Sequence, residues 1–233
     1  GRLMMNDIVP ELLDKIQKDF QDQVKKSNKL KTLRKLIDNK QASYEQANEY
    51  AIEVGEILAR SFKKRISSGV LPDGRMYFNI GERILNPTLT KNYELVTNIT
   101  KEIQEELNRQ VGIGLKVSVP KVDKGKIKGF VDRLSSELFD DVSWILQEPV
   151  INFTHNGVND VLEANASFQA NVGLKPKIKR TLVGGACKWC VSLAGTYSYP
   201  DVPQDVYKRH ERCRCTVEYI PSGVKRQNVW TKR

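Results

Sequence analysis

The sequence has few of the features that mark membrane, secreted or nucleotide-binding proteins. None of its apolar runs approaches the roughly 18–20 residues that a helix needs to cross a bilayer, and the N-terminus lacks the apolar stretch of a secretory signal. We find no internal repeat, no low-complexity tract and no phosphate-cradling glycine loop, since Gly184-Gly185 alone is a weak signal. We therefore expect a protein that is made in the cytoplasm and has no membrane partner.

Cysteine and histidine are scarce and unevenly placed. The 233 residues include four cysteines and two histidines, and all four cysteines lie between residues 187 and 215, together with His210. The other histidine, His155, stands alone near a predicted helix start, where a cap or a polar surface group is its ordinary role. The segment 187–215 is therefore the candidate functional segment.

Positive charge is concentrated in the same part of the chain. Of the net charge of +10, residues 175–233 supply 13 Lys and Arg against 4 Asp and Glu, whereas residues 1–174 contain 25 against 24. A focused basic field favours polyanions such as double-stranded DNA, bound without sequence preference. A solvated face, or a surface for an acidic protein, would give the same composition. The predicted binding residues are Lys175, Lys177, Lys179, Arg180, Lys208, Arg209, Arg212 and Arg214.

The hydrophobic pattern predicts an α+β fold, with a helical body followed by a small β-containing module. Apolar residues recur at helical spacing in segments 6–26, 43–66, 89–111, 123–138 and from 154 or 156 to 173. Ser43 with Gln46 forms a capping box, and Gly173 is placed to end the last helix. Residues 112–120 are predicted to form a short strand or an extended connector. KIKRTLV and CTVEYI are strand-like, so we place a boundary near 174, between a body at 5–174 and a basic cysteine-rich module at 175–233.

Three roles compete for the cysteines. Two disulfides would suit an extracytoplasmic protein, but the sequence shows no secretory signal. Four reduced cysteines with no shared role would not account for their arrangement as two close pairs beside a histidine. The third role is a metal site.

The spacing favours metal. Cys187 and Cys190 have a knuckle spacing that lets two thiolates reach one ion from a tight turn, and the two-residue period of a strand points Cys213 and Cys215 to one face. His210 is close enough to replace one sulfur. Zn²⁺ takes four nitrogen or sulfur ligands, so either four thiolates or three thiolates with His210 complete its shell. Such a closed shell predicts a structural zinc site and no catalysis.

Two other functions remain as alternatives. A cysteine and His210 could act as nucleophile and base, with Arg209, Arg212 and Arg214 holding a phosphate, as in a toxin-like nuclease or transferase. No carboxylate stands at a diagnostic spacing, so we do not expect an enzyme. A zinc-ribbon DNA-binding regulator is disfavoured because no recognition-helix pattern is present.

The residue order in the candidate segment resembles a known family. CKWC, LAGTY, a spacer with proline and RHERCRCTVEY match C-x-x-C-x-x-L-x-G…H-x-x-C-x-C, the pattern of the Mu F-like, or head-morphogenesis, minor head proteins of tailed phages. The preceding VLEANASFQANVG is also similar, and the closing QNVWTKR resembles versions from phages of Gram-positive bacteria. The resemblance covers the last third of the chain. Glu211-Arg212 departs from the Pro-Asn that the family often has there.

The resemblance implies a structural component of the virion. Members of the family are packaged in small copy number inside the procapsid, in association with the portal, and assist head assembly or influence how DNA is held and delivered. The implied partners are portal and capsid proteins and double-stranded DNA. The implied location is the capsid interior, after assembly in the host cytoplasm.

Overall fold

The computed structural model describes residues 6–182, 188–207 and 215–220. These residues confirm the predicted α+β fold, with a helical body followed by a small antiparallel sheet. The helices are α1 (Val9–Lys26), α2 (Asn28–Asp38), α3 (Tyr44–Arg65), α4 (Phe78–Gln110), α5 (Lys124–Leu134), α6 (Phe139–Val142), α7 (Glu148–Asn171) and α8 (Lys188–Leu193). The strands are β1 (Lys177–Thr181), β2 (Gly195–Ser198) and β3 (Thr216–Ile220). No helix in these ranges is both long enough and apolar enough to span a membrane.

Side-chain caps define several helix starts. The Ser43 side chain accepts a hydrogen bond from the backbone of Glu45, and the backbone N–H of Ser43 donates to Gln46 Oε1 at 2.7 Å, which confirms the predicted capping box. The Ser27 side chain caps α2 by accepting from the backbone of Leu30, and the Asp123 side chain caps α5 by accepting from the backbone of Lys126. Gly173 follows α7 with a φ of +90°, a conformation that favours glycine, as predicted.

Several helix boundaries differ from the predictions. Helix α2 was not predicted, because six lysines between residues 25 and 40 hide an inward stripe of only Leu30, Leu33 and Ile37. Helix α4 begins at Phe78 and continues through Pro87. Helix α7 begins at Glu148, ahead of the predicted start, and α5 ends at Leu134. The segment 112–120 forms no strand and is a connector.

Helices α3, α4 and α7 form the centre of the body. A Cβ added at Gly55 of α3 would lie 3.2 Å from the Ile151 Cα of α7. On the other side of α7, a Cβ at Gly157 would lie 3.1 Å from a Val96 methyl of α4. Glycine at these two positions lets the three helices approach closely, so α7 is enclosed between α3 and α4.

The sheet packs directly on this helical body. Its strand order is β2-β1-β3, with Arg180 of β1 opposite Val217 of β3. Ile178, Val217 and Tyr219 point inward and belong to the same hydrophobic cluster as the helices. Residue 174 therefore marks the change from helix to sheet, while the core continues across it.

Candidate metal centre and basic surface

The inner face of the sheet holds one of the predicted metal ligands. Burial alternates along β3, where Val217 and Tyr219 are buried, and Cys215 just before the strand is fully buried too. Arg180 lies on the same face of β1, opposite Val217. Because side chains on one face repeat every two residues, Cys215 and Arg180 occupy neighbouring inward positions.

A second predicted ligand approaches the same arginine from α8. Cys190 is fully buried, and Arg180 Nη2 lies 3.8 Å from its Sγ, within reach of a weak N–H···S hydrogen bond. The guanidinium also lies over the Trp189 ring, 5.3 Å from its centroid. Arg180 Nη1 donates to the carbonyl oxygen of Val206. Arg180 thus contacts Cys190 of α8, Trp189 and the Val206 backbone at once.

Arg180 therefore corrects one sequence prediction. It was predicted to contact nucleic acid, but its side chain is only 1% exposed. A guanidinium enclosed by Val206, Trp189 and Cys190 cannot reach a phosphate on a duplex. The prediction is wrong for this residue because strand alternation turns Arg180 inward with Ile178, while Lys177 and Lys179 point outward.

The two described cysteines, Cys190 and Cys215, are residues of a type that binds zinc. Cysteine sulfur is a preferred zinc ligand, and Cys190 and Cys215 are both buried. Cys187, His210 and Cys213 lie outside the described residues, so two of the five predicted ligands are described. Within residues 6–182, 188–207 and 215–220, no three metal-ligating side chains come together.

Three predicted basic residues lie on the opposite side of the strand. Lys175, Lys177 and Lys179 are exposed and alternate with buried Pro176, Ile178 and Arg180. Lys179 is paired across the sheet with Glu218. Burial raises the pKa of the Glu218 carboxyl, and Lys179 partly opposes this shift. The outer face of the described sheet is therefore only weakly positive, and Lys208, Arg209, Arg212 and Arg214 lie outside the described residues.

Comparisons with known proteins give no relative for this chain. No family model matches it, and no curated protein or solved structure is significantly similar to it.

Sequence reasoning missed a ring of buried polar groups between the body and the sheet. Tyr44 donates to Gln104 Oε1 at 2.6 Å, and Gln104 donates to Asn108 Oδ1 at 2.9 Å. From the other side, Tyr219 donates to Gln169, which donates to the same Asn108 oxygen at 3.1 Å. Burial raises the pKa of Tyr219 to about 12, so its hydroxyl stays protonated and able to donate at neutral pH.

His155 belongs to a second polar connection, and its predicted role as a cap or a polar surface group is wrong. It is fully buried inside α7, with Nε2 2.6 Å from Asn48 Oδ1. The Asn48 amide donates to the Tyr44 carbonyl at 2.7 Å and to the Val217 carbonyl of β3 at 3.2 Å. Asn48 stands beside the inward residues Ala47 and Ala51 of α3, and that position was the signal available in the sequence.

Proposed function

We propose that this chain is a minor head protein of a tailed phage, a structural component of the virion that lies at the portal inside the capsid and contacts packaged DNA. The observation that carries the proposal is the residue order from Cys187 to Cys215. The full burial of both described cysteines, Cys190 and Cys215, supports it, because a closed structural metal site is enclosed by the protein.

The metal centre has a structural part in this proposal. Zn²⁺ would be held by Cys187, Cys190, Cys213 and either Cys215 or His210, and the ion would cross-link the segments that carry them. The described strands have four or five residues each. Three strands of that length are at the lower limit of independent stability, and metal binding supplies folding free energy when ligands come from separate segments.

The contact with DNA is assigned to the outer side of the module. Lys175, Lys177 and Lys179 face solvent, and the four basic residues between 208 and 214 would extend this surface. Contacts of lysine and arginine with phosphates position a protein on a duplex and carry no sequence preference. That suits a protein that meets whatever DNA the capsid contains.

The location of the protein in assembling particles tests the proposal. We expect quantitative mass spectrometry of purified procapsids to find a small number of copies per particle, and to find none in particles assembled without portal. Absence from complete particles, or a copy number that does not depend on portal, would overturn the proposal. Nuclease activity that purifies with the chain and is lost in His210→Ala would replace it with the enzymatic alternative.

A further inference from the structure

Residues 114–121, between α4 and α5, form an extended segment. Burial alternates along it, since Val117 is buried and the residues on either side of it are exposed, which is the two-residue period of a strand. Pro120 also restricts the residue before it, Val119, to an extended backbone. The segment therefore has the shape of a strand, although no strand of the described sheet pairs with it.

One edge of this segment is held by a side chain of α7. The Ser118 N–H donates to Asn165 Oδ1, and the Asn165 amide donates to the Ser118 carbonyl oxygen, both at 2.8 Å. A residue of a neighbouring strand would make the same two hydrogen bonds. The Asn165 amide thus takes the place of a strand on this edge.

The opposite edge of the segment is open. Successive residues of an extended chain point their backbone groups to opposite edges, so the N–H and C=O groups of Val117 and Val119 point away from Asn165. Among the described residues, neither valine has a backbone hydrogen-bond partner. Pro120 lies on the same edge as Ser118, so its missing N–H does not interrupt the open edge.

A groove with a volume of about 400 Å³ runs along this segment. Its lining residues are Lys116, Val117, Ser118, Val119 and Phe168 of α7. The Phe168 side chain is 43% exposed, and Val172, one helical turn further along α7, is 53% exposed. Open backbone groups beside exposed apolar side chains accept an extended peptide as an added strand, with main-chain hydrogen bonds for affinity and side-chain contacts for specificity.

The charge around the groove selects its occupant. Segments 112–122 and 164–176, which flank it, contain three lysines and no acidic residue. Residues 221–233 of this chain are also basic, with four Lys and Arg and no Asp or Glu, and a second copy of the chain would bring the same lysines to the contact. Because complementary charge favours one partner over another, the groove favours an acidic segment of a different protein.

We propose that the groove along residues 114–121 binds an extended acidic segment of a partner protein by β-strand addition. Val117 and Val119 supply the backbone groups that pair with the added strand. Lys116 supplies positive charge, and Phe168 supplies the apolar contact. None of these residues belongs to the cysteine segment, so the proposal does not depend on the metal centre.

A peptide titration of the isotope-labelled, full-length chain tests the proposal by NMR. The probe is a short synthetic peptide in which valine and glutamate alternate, and the control peptide has lysine in place of each glutamate. We expect the glutamate peptide to shift the amide signals of Val117 and Val119 and to slow their hydrogen exchange. The lysine peptide should leave both unchanged.

Variants of the protein separate backbone pairing from charge. Val119→Pro removes one N–H from the open edge and should weaken binding of the glutamate peptide about 2–10-fold, whereas Val119→Thr keeps the N–H and should bind as wild type does. Lys116→Glu should weaken binding about fivefold. Lys31→Glu, at an exposed position of α2, is the control for that charge and should have no effect.

Several outcomes would overturn the proposal. The absence of shifts at Val117 and Val119, or equal binding of the two peptides, would remove the acidic partner. Wild-type binding by Val119→Pro would contradict strand addition. Protection of these amides that increases with the concentration of the protein alone would make a second copy the occupant.

Discussion

Tyr44 of α3 and Tyr219 of β3 lie with their ring centroids 6.2 Å apart, and each hydroxyl begins a chain of hydrogen bonds that ends at Asn108. The tilted ring contact and the two chains close a circuit through α3, α4, α7 and β3. Buried polar circuits of this kind specify one arrangement, because any shift of the sheet would leave amide groups without partners.

Tyr219→Phe tests this circuit. The substitution removes a hydroxyl and leaves Gln169 without that donor, which should lower the free energy of unfolding by about 1–3 kcal/mol. Urea unfolding of the full chain measures the change. Tyr77→Phe is the matched control, because the Tyr77 hydroxyl bonds to exposed Asp73, and its effect should stay within about 0.5 kcal/mol. Equal effects of the two substitutions would contradict a stabilising role for the circuit.

Asp160→Asn should stabilise the protein at neutral pH. Burial raises the pKa of the Asp160 carboxyl, more than the Tyr93 hydrogen bond and Lys126 lower it. The folded state therefore binds the proton more tightly than the unfolded state, and ionisation of Asp160 opposes folding above the folded pKa. Tyr93, at 2.7 Å, can still donate to an asparagine oxygen.

The gain in stability of Asp160→Asn over wild type is measured as a function of pH. The stability difference between Asp160→Asn and wild type should be largest at neutral pH, and should shrink as pH falls towards 3.8, the ordinary value for aspartate. Asp132→Asn, on the exposed surface of α5, is the control and should show no comparable gain. A variant that is less stable than wild type at neutral pH would contradict the assigned cost of burying this charge.

Much of the fold could be predicted because its signals are local. The capping box at Ser43, the glycine after α7 and the alternation in β1 each depend on a few neighbouring residues. The role of Arg180 was predicted wrongly although the same alternation turns it inward, because a charged residue at an inward position looks the same in the sequence as one at a surface. The burial of His155 could not be predicted locally, because its partner Asn48 is distant in the chain.

Zinc content tests the candidate metal centre directly. We expect about one Zn²⁺ per chain in protein purified under reducing conditions without chelator. Cys190→Ser should lose most of it and should become sensitive to proteolysis within the module, because metal binding contributes to folding. Val191→Ser changes the adjacent, exposed position and should keep the metal. Zinc-free wild-type protein, or equal zinc in both variants, would contradict the assignment.

Binding to duplex DNA should depend on the outer lysines of the sheet. Each phosphate contact contributes about −0.9 to the slope of log affinity against log salt. The double variant Lys177→Gln and Lys179→Gln should therefore reduce the slope by about 1.8 if both residues contact phosphates. Glutamine is chosen over glutamate because a new carboxylate at 179 would face Glu218.

The control for this titration lies on the helical body. Lys31 and Lys35 are exposed on α2, in the part of the chain whose positive and negative charges nearly balance. Lys31→Gln with Lys35→Gln should leave the slope unchanged. A slope reduced by the α2 variant and not by the sheet variant would move the DNA surface to the body. Negligible affinity of the wild-type chain at low salt would favour an acidic protein as the partner.

The 169 residues that separate Asn48 from Val217 set an order of events during synthesis. Helices α1 to α7 can assemble as they leave the ribosome, but the amides of Asn48 and Gln169 meet their partners on β3 only after residue 220 has been made. Contacts between such distant positions form slowly, because the long intervening segment loses conformational entropy before the contacts can stabilise the chain. Until β3 has been made, Asn48 and Gln169 therefore lack these partners.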